Sequence, residues 1–463
     1  MKKHKHDSRP LLLWASLLSL LLGLPAQAGE TLSIEQALEH ALKHSPRLES
    51  ADLEIQAAEA RRKQARGQFG PKLQFELSAA KFDAAPGMGG SGMSEEELAG
   101  LRMLAGADPF NNVMVDVFQS LPDMFAGEAY NVDITARVVQ PLTPLWAIYQ
   151  GYKLSELGVA LARVVKIRQA DELRYQVQQS YLQALQADAG LLALSKAIET
   201  VQAHVDQARH FVEAELISKV ELLQAQVRLF ELKGQLATIK NAASLARAQL
   251  SMLIDWPTDK PLPDLEIPTA PQPAGQPALE QVQKQAQDQR PEFAELGIRS
   301  QQAERGVKAR WQGYLPQLVL VGSFQHNEGS IMAPPSWIGA AVLNWDVWEW
   351  GVSHYKVEEA EVMLSMVQKA KEELRRGIAL QVQAAWLKLA EAAERIDIAK
   401  NGMGHAEEHL RMEQERFAAQ QSTSTEVLDA QMRLTQAQVE QEDANYEYLM
   451  AEAALRKATG EKR

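Results

Sequence analysis

Three ionisable residues in the second half of the chain have the spacing of a metal site. His405, Glu408 and His409 fit the H-x-x-E-H pattern of inverted zinc peptidases, in which two histidines one helical turn apart bind zinc and the glutamate acts as base. The segment lies within a long predicted helix with a polar face, and no cleft-forming sequence surrounds it. Incidental metal binding at the surface is the alternative, and loss of activity in His405→Ala would identify a peptidase.

A second pair of ionisable residues, Glu426 and Asp429, lies further along the chain. The i,i+3 spacing places both carboxylates on one face of a predicted helix. An earlier stretch of similar sequence has Glu221 and Gln224 at the matching positions, so only one of the two acidic residues is repeated there. Ordinary solvated charges beside a helical seam are the alternative to a functional pair.

The composition removes several other kinds of site. The chain of 463 residues contains no cysteine, which excludes disulfides, cysteine-based zinc sites and a lipid on an N-terminal cysteine. Its 60 acidic against 48 basic residues argue against nucleic acid as a partner. No catalytic triad, phosphate-binding loop or nucleotide motif stands out, so the sequence predicts neither an enzyme nor a cofactor. Any energy source must then belong to a partner.

The chain repeats itself, and this repeat governs the predicted architecture. A shift of 205 positions aligns the segment from Gln176 to Leu250 with the segment from Gln381 to Leu455, without a gap. A shift of 245 positions aligns Pro46 with Pro291 and Leu73 with Leu318. The period is too long for a solenoid repeat and indicates a duplicated half-domain. We therefore predict a first copy over residues 29–256, a proline-rich linker over 257–278 and a second copy over 279–463.

The first residues have the features of a secretory signal peptide. A basic start is followed by an apolar run from Leu11 to Leu24 and by the small-residue site Ala26-Gln27-Ala28. We expect cleavage after Ala28, which makes residues 1–28 the signal peptide. A membrane anchor is the alternative, but the run has about 14 residues and a spanning helix needs about 20.

Most of the remaining chain is predicted to be helical. Apolar residues from Leu222 to Leu253 alternate three and four apart, as in a coiled-coil seam, and the second copy repeats the spacing from Val427 to Ala458. At about 1.5 Å per residue, two shorter helices end to end match one long helix of about 100 Å, so each copy predicts a rod. The predicted helices cover residues 33–69, 151–215, 219–254, 280–313, 352–418 and 423–458.

Segments with a strand-like sequence pattern separate the helices of each copy. Apolar and polar residues alternate over 73–78 and 132–138, and less clearly over 317–325 and 338–346. Strands of about ten residues can cross a membrane when tilted. Aromatic residues near the strand ends suit a lipid–water interface; these are Trp146, Tyr149, Trp337, Trp345, Trp348 and Trp350. The alternative is a small soluble sheet capped by core tryptophans.

Four membrane-crossing strands require an oligomer. A barrel needs about eight strands, and open sheet edges are not tolerated in lipid. Three chains would supply twelve strands, and the two similar copies in each chain would give a hollow cylinder with pseudo-sixfold symmetry. The long loop 83–130, with a short helix predicted near 94–106, and its brief counterpart 327–337 would lie on one side of the barrel.

These segments resemble the TolC-type outer-membrane efflux family over essentially the whole chain after the signal peptide. The similarity is carried by the opening from Leu32 to Leu48, by Gln140-Pro141-Leu142 with Gly151, by Asn344-Trp345-Asp346-Val347 with Gly351, and by Arg416-Phe417 with the segment from Glu426 to Gln431. The resemblance implies a mainly α homotrimer in the outer membrane of a Gram-negative bacterium. A 12-stranded β-barrel would lie in outer-membrane lipid, and a coiled-coil α-barrel would extend into the periplasm.

The resemblance also implies the function and the partners. Members are passive exit ducts of tripartite multidrug or metal efflux pumps, or of type I secretion systems. They work with a periplasmic adaptor (membrane fusion) protein and an inner-membrane transporter. A periplasmic coiled-coil scaffold without lipid-facing strands is the alternative function. The cargo and the type of transporter are not specified by the sequence.

Carried over to this sequence, the resemblance places an adaptor-docking tip at two helix turns, 213–219 and 420–424. Where family members usually have a glycine, these turns have Glu215 and Gln420. In a trimer, Glu426 and Asp429 would form two rings of carboxylates and a constriction that favours cations. The predicted docking residues are Glu213, Glu215, Leu216, Ile217, Ser218, Gln420, Gln421, Ser422, Thr423 and Ser424.

Overall fold

The computed structural model describes residues 31–81, 95–105, 113, 115, 130–273, 275–328 and 334–461. The predicted signal peptide and most of the loop 83–130 lie outside these residues. The described chain divides into two compact units. One comprises residues up to Leu53, Val164–Glu295 and Lys371–Arg463, and the other comprises Glu54–Arg163 and Leu296–Ala370. Each unit therefore takes residues from both copies, so the sequence repeat does not coincide with the compact units.

Helices form most of the described chain, and their order follows the predicted one. No helix among the described residues has both the length and the apolar character that a membrane crossing requires. The helices are α1 (Ile34–His44), α2 (Pro46–Gly67), α3 (Glu95–Ala105), α4 (Leu145–Glu213), α5 (Lys219–Leu253), α6 (Leu279–Gln289), α7 (Pro291–Arg310), α8 (Val352–Ala418) and α9 (Ser424–Thr459), with a 3-10 turn at Trp311–Tyr314.

Two helices that the sequence predicted as continuous are each broken by a proline. The segment 33–69 forms α1 and α2, and the segment 280–313 forms α6 and α7. Ser45 (ψ 118°) and Arg290 (ψ 129°) are extended, because the ring of the following proline disfavours a helical residue before it. The helix start at Ser33 is confirmed by a capping box with Gln36.

The predicted coiled-coil seam lies in the core of the first unit. Ala225, Leu229 and Leu232 of α5 are buried, and so are Ala430 and Leu434 of α9. Leu229 packs with Val205 of α4, and Leu434 packs with Phe417 of α8. The three-and-four spacing therefore marks the buried face of these helices, as predicted.

The second unit contains one antiparallel sheet in the order β1-β2-β3-β4. Its strands run over Lys72–Lys81, Tyr130–Pro141, Gln317–Glu328 and Ser336–Asn344. Thr143, which follows β2, binds the start of β3 at the end of the sheet from which the helices continue. Its hydroxyl donates to the carbonyl of Pro316 at 2.7 Å and accepts from the backbone N–H of Leu318 at 2.7 Å. The four predicted strands are all present, and each is longer than or shifted from its predicted range by a few residues.

Candidate functional site

The two predicted tip turns have the same backbone conformation despite their different sequences. Glu215 (φ 57°) and Gln420 (φ 62°) are both left-handed. The N–H of Leu216 donates to the carbonyl of Phe211, and 205 positions later the N–H of Gln421 donates to the carbonyl of Arg416, both at 2.8 Å. This six-to-one hydrogen bond defines the Schellman motif at the end of a helix. The left-handed residue of that motif is usually glycine. The turn is thus formed without the expected glycine.

Glu426 caps the start of α9. Its Oε2 accepts from the backbone N–H of Thr423 at 2.7 Å, while the Thr423 hydroxyl accepts from the N–H of Glu426. The Thr423 N–H and the hydroxyls of Ser422 and Thr423 hold the pKa of the Glu426 carboxyl below its usual value. One member of the predicted acidic pair is therefore committed to the local fold of the turn.

The hydroxyl of Ser422 lies between two carboxylates. It is 2.7 Å from Oε2 of Glu426 and 2.7 Å from Oε2 of Glu413, which is buried and also accepts from Arg416. Because a hydroxyl has a single hydrogen, it donates to one of these oxygens at a time. The turn is consequently held by polar contacts to both of the helices that it joins.

Asp429 has a different environment from Glu426. It is exposed, and across the described chain it makes no hydrogen bond or ion pair. Its counterpart Gln224 instead accepts from the Thr425 hydroxyl at 3.0 Å. The structure places the two acidic residues on the same helix, but only Asp429 keeps its carboxylate available.

A buried contact joins the first copy to the start of α9. His204 of α4 and Ser424 are both buried, and the His204 Nε2 lies 2.6 Å from the Ser424 hydroxyl. The His204 ring also packs against Phe417 with centroids 5.1 Å apart. Burial lowers the pKa of His204, which favours the neutral ring. The N–H of Ser424 donates to Glu221 at 3.3 Å, so α5 holds the same residue.

Most of the predicted docking residues are accessible. Glu213, Glu215, Leu216 and Ser218 are exposed in the first turn, and Gln420, Gln421 and Thr423 in the second. Ser422 is half-buried, and Ile217 packs against the core cluster that contains Phe417. Ser424 is fully buried and cannot contact a partner. Its role is to hold His204, a contact between residues 220 positions apart that sequence spacing does not indicate.

The sheet has one apolar face that crosses all four strands. The register pairs Phe75 with Ala136, Ala136 with Phe324, and Phe324 with Trp337. Polar residues on this face, among them Gln140, His326 and Glu328, lie near the ends of the strands. Leu73 is 74%, Phe75 71% and Leu77 63% exposed in the single chain. A row of exposed apolar side chains with this regularity is typical of a surface that faces lipid or another protein.

The opposite face of the sheet carries the polar side chains. Gln74 pairs with Arg137, and Glu76 pairs with Thr135. Asp133 pairs with Asn327, and the Asn327 amide donates to the Asp133 carboxylate. Apolar residues also occur on this face, in the last strand (Ile338, Ala340 and Val342) and at the helix-proximal end of the two middle strands (Val139, Val319 and Val321). Alternation of lipid-facing and lumen-facing residues in membrane barrels produces this division of faces.

Aromatic residues lie at both ends of the sheet. Trp146 and Tyr149 follow β2, and Trp348 and Trp350 follow β4, at the end where the helices continue. Trp345 comes directly after the same strand. Trp337, which the sequence placed with them, is near the start of β4 at the opposite end and packs on Phe324 with centroids 4.6 Å apart. Trp311 and Tyr314, before β3, were missed; Trp311 lies in the segment 280–313 that was predicted as helix, and Tyr314 directly follows it.

The zinc-binding pattern does not form a site. His405, Glu408 and His409 are exposed on α8. Within the described residues no cluster of three metal-ligating side chains occurs. The Arg411 guanidinium donates to Glu408 at 2.9 Å and lowers the pKa of that carboxyl, the opposite of what a general base requires. The arrangement therefore gives no support to a peptidase.

Comparisons with known proteins agree with these features. Residues 282–461 match the family described as outer membrane efflux protein. The Campylobacter jejuni CmeC outer membrane channel has a TM-score of 0.74 at 15% identity, over 92% of this chain and 85% of that one. The Vibrio cholerae outer membrane protein VceC has a TM-score of 0.71 at 14% identity, over 92% of this chain and 96% of that one.

The Neisseria gonorrhoeae MtrE outer membrane channel, solved in its open state, has a TM-score of 0.69 at 16% identity, over 92% of this chain and 88% of that one. No curated protein sequence matches the chain. These likenesses confirm the predicted fold class, which is mainly α with long coiled-coil helices and strands that contribute to a membrane β-barrel.

Proposed function

Because residues 282–461 match the outer membrane efflux protein family that the sequence resembles, we propose that the protein is an outer-membrane exit duct. It conducts its cargo passively from a periplasmic tunnel to the cell exterior. The family consists of transport channels rather than enzymes. The duct serves a tripartite efflux pump or a type I secretion system, and an inner-membrane transporter supplies the energy.

The observation that carries this proposal is the two-faced sheet. Lipid must contact apolar side chains, whereas a conducting lumen must be lined by groups that water can solvate. Leu73, Phe75 and Leu77 lie on the first face, and Gln74 and Glu76 lie on the second. The strands have 9 to 12 residues, which suits the thickness of a bilayer.

Closure of the sheet requires other copies of the chain. Within the described residues β1 pairs only with β2, and β4 pairs only with β3, so the sheet has two open edges. Unpaired edges cannot remain in lipid, where their N–H and C=O groups would have no partner. Three copies with four strands each would close a 12-stranded barrel. A homotrimer is the assembly that we propose.

The two tip turns are proposed to bind the periplasmic adaptor. Their accessible residues form a mixed surface in which Leu216 is the large apolar side chain, 51% exposed, among glutamate, glutamine, serine and threonine. Asp429 and Glu426 would form the entrance constriction in the trimer, with Asp429 as the residue that acts on passing cations. The free carboxylate of Asp429 supports this division of roles.

Single cysteines on β1 test the membrane proposal without background, because the chain has no cysteine of its own. We expect Phe75→Cys and Leu77→Cys in isolated outer membranes to resist a charged maleimide. The matched variants Glu76→Cys and Ser78→Cys should react with it through the lumen. Equal labelling of both sets after detergent solubilisation would show that each thiol is reactive. Equal labelling in the membrane itself would overturn the proposal and favour a periplasmic scaffold.

Size and conductance test the duct itself. Protein extracted from outer membranes with detergent should behave as a trimer, and it should give discrete conductance steps in a planar bilayer. A monomer or dimer that stays in solution and gives no conductance would refute the exit-duct function.

A further inference from the structure

The first copy has a groove that is filled by the proline-rich linker. Leu32 and Leu265 form a parallel bridge. The Leu32 N–H donates to the carbonyl of Asp264 at 2.8 Å, and the N–H of Glu266 donates to the carbonyl of Leu32 at 3.1 Å. The Tyr181 hydroxyl lies 2.7 Å from the Leu32 carbonyl oxygen and 2.8 Å from that of Glu266. The linker is thus seated as a short added strand.

Two leucines of the linker complete the apolar core at this place. Leu265 is buried in one continuous cluster with Ala37, Ala184 and Leu250, and Leu262 packs against the same cluster. We call the surface lined by Ala37, Ala184 and Leu250 the first groove. The acidic residue between the two leucines, Asp264, lies 3.6 Å from the Arg247 guanidinium.

The second copy repeats the walls of this groove. The repeat aligns Ala37, Ala184 and Leu250 with Val282, Leu389 and Leu455, which we call the second groove. Trp386 takes the place of Tyr181, and its Nε1–H donates to the carbonyl of Pro277 at 2.8 Å, at the position of Leu32. The geometry that receives the linker in the first copy is therefore preserved.

The two grooves differ in whether a segment of the chain occupies them. The single cluster of the first copy corresponds to two separate clusters in the second, one with Val282 and one with Leu389 and Leu455. A cavity of about 500 Å³ lies between them and is lined by residues of both. No described segment of the chain takes the place there that Leu262 and Leu265 take in the first groove.

We propose that the second groove is a docking site for an extended segment of a partner protein. The segment would place two apolar side chains, three residues apart, where the linker places Leu262 and Leu265. The corresponding linker segment of every copy of this chain already fills its own first groove, so a second copy has no equivalent segment to offer. Pro277 has no N–H, so the partner backbone would donate to its carbonyl and would receive no hydrogen bond in return.

The polar rim of the second groove differs from that of the first, because the repeat aligns Arg247 with Glu452. Arg456 lines the cavity, and its Nε atom is buried without a hydrogen-bond partner. Its Nη2 lies 3.2 Å from Glu452, so these two side chains already form an ion pair at the rim. A carboxylate at the position of Asp264 would face Glu452 where the first groove has Arg247, so the segment should carry a neutral residue there.

A labelled peptide with the sequence of residues 260–268, in which asparagine replaces Asp264, is the probe that tests this inference. We expect saturable binding to the full-length protein by fluorescence anisotropy, and no binding when aspartate replaces both leucines of the peptide. Ala390→Trp, which fills the second groove, should weaken binding by about tenfold or more. Leu387→Trp is the matched control, because Leu387 is 52% exposed outside the groove and its substitution should leave binding unchanged.

The binding site is then located on the unsubstituted protein, which removes any dependence on the folding of a variant. A photo-crosslinking residue at the position of Leu265 in the peptide should cross-link to residues 385–393 or 448–459. Cross-links to residues 180–189 or 243–254 would mean that the peptide displaces the linker from the first groove. That result, or the absence of saturable binding, would overturn the inference. A change in oligomeric state in Ala390→Trp would overturn it in favour of a second copy.

Discussion

At the scale of single residues, each tip turn contains a non-glycine residue in the left-handed conformation, which is strained for a residue with a side chain. Glu215, Asp255 and Gln420 end helices with a left-handed residue. At the end of α9 the residue aligned with Asp255 is Gly460, which adopts the same conformation without a side chain. Residues other than glycine pay roughly 1 kcal/mol for this conformation. The duplication therefore preserved the turn while the side chains at the turn position diverged.

Replacement of Gln420 should change the stability of its turn in either direction. Gln420→Gly removes the steric cost and should stabilise the turn by about 0.5–1 kcal/mol, whereas Gln420→Val should destabilise it by about 1 kcal/mol or more. Hydrogen exchange of the segment 413–424 measures both changes. Glu215→Gly is the parallel substitution in the first copy and should slow exchange in its own turn only. Slower exchange with valine would contradict the assigned conformation.

Substitutions of Glu426 and Asp429 should affect different properties, namely the stability of the helix start for Glu426 and the cation selectivity of the channel for Asp429. Asp429→Asn should reduce cation selectivity in planar bilayers and leave the stability of the turn unchanged, because the Asp429 carboxylate has no partner among the described residues. Glu426→Ala should speed hydrogen exchange at the start of α9, because it removes the acceptor of the Thr423 N–H.

The lowered pKa of Glu426 provides a second test of its role as the cap at the start of α9. A carboxyl with a lowered folded pKa stabilises the fold above its unfolded value of about 4.5, and this contribution is lost as the pH falls through the folded pKa. The protection factors at the start of α9, which correct for the intrinsic exchange rate at each pH, should therefore fall below about pH 4.5 in the unsubstituted protein, and less so in Glu426→Gln. Equal acid sensitivity of the two proteins would show that the cap does not depend on the charge.

At the scale of elements, His204 ties α4 to the start of α9. Because burial lowers its pKa, the unfolded chain takes up a proton below about pH 6.5 before the folded chain does, so acidification should loosen this junction. His204→Gln should remove that part of the pH dependence. His409→Gln is the matched control, since His409 is the aligned residue of the second copy and is exposed.

A double-mutant cycle of His204→Ala and Ser424→Ala measures the contact directly. The coupling free energy should be about 1 kcal/mol near neutral pH, the usual net value of a hydrogen bond, and it should fall as the pH is lowered. Additive effects of the two substitutions at every pH would show that the hydrogen bond does not stabilise the junction.

The elements themselves were largely predictable from the sequence, because their signals are local. Proline, heptad spacing and period-two alternation predicted the long helices and the four strands to within a few residues. The breaks at Pro46 and Pro291 were missed because helical composition continues on both sides of each proline. Trp337 was misplaced because the exposed alternation in β4 is blurred, so the start of that strand had no clear sequence mark.

The candidate site was less predictable, because its geometry depends on contacts that are distant in sequence. The i,i+3 spacing of Glu426 and Asp429 indicated one helix face but not that Glu426 caps its own helix. The burial of Ser424 follows from His204, which lies 220 positions earlier in the chain. The second groove has no mark of its own in the sequence, because its walls come from three segments that are distant along the chain.

At the scale of the whole molecule, the duplication accounts for both the symmetry and the exceptions. Each compact unit draws on both copies, so the units do not correspond to the copies. Matching turns, seams and helix breaks recur, which is what a pseudo-sixfold assembly of three chains requires. The differences fall at places where one copy contacts something that the other does not. The linker in the first groove and the His204 contact are two such places.

The trimer itself makes the last prediction, which concerns the open edges of the sheet. If three chains close one barrel, β1 of each chain pairs with β4 of its neighbour, and residues on the same face of both strands become adjacent. Glu76 lies on the polar face, as do Ile338, Ala340 and Val342. Glu76→Cys combined with a cysteine at one of these three positions should therefore give covalent trimers after oxidation in outer membranes.

A control pair of cysteines tests whether cross-linking requires that both residues lie on the same face of the sheet. Glu76→Cys with Ala341→Cys places the two thiols on opposite faces of the sheet and should not cross-link. Within one chain, β1 and β4 occupy opposite ends of the strand order, so a disulfide between them reports contact between neighbouring subunits. Cross-linking of the opposite-face pair alone would contradict the pairing of β1 with the neighbouring β4 that a closed barrel requires. Because a closed ring of three cannot add further chains, a ladder of products beyond the trimer would exclude a closed barrel.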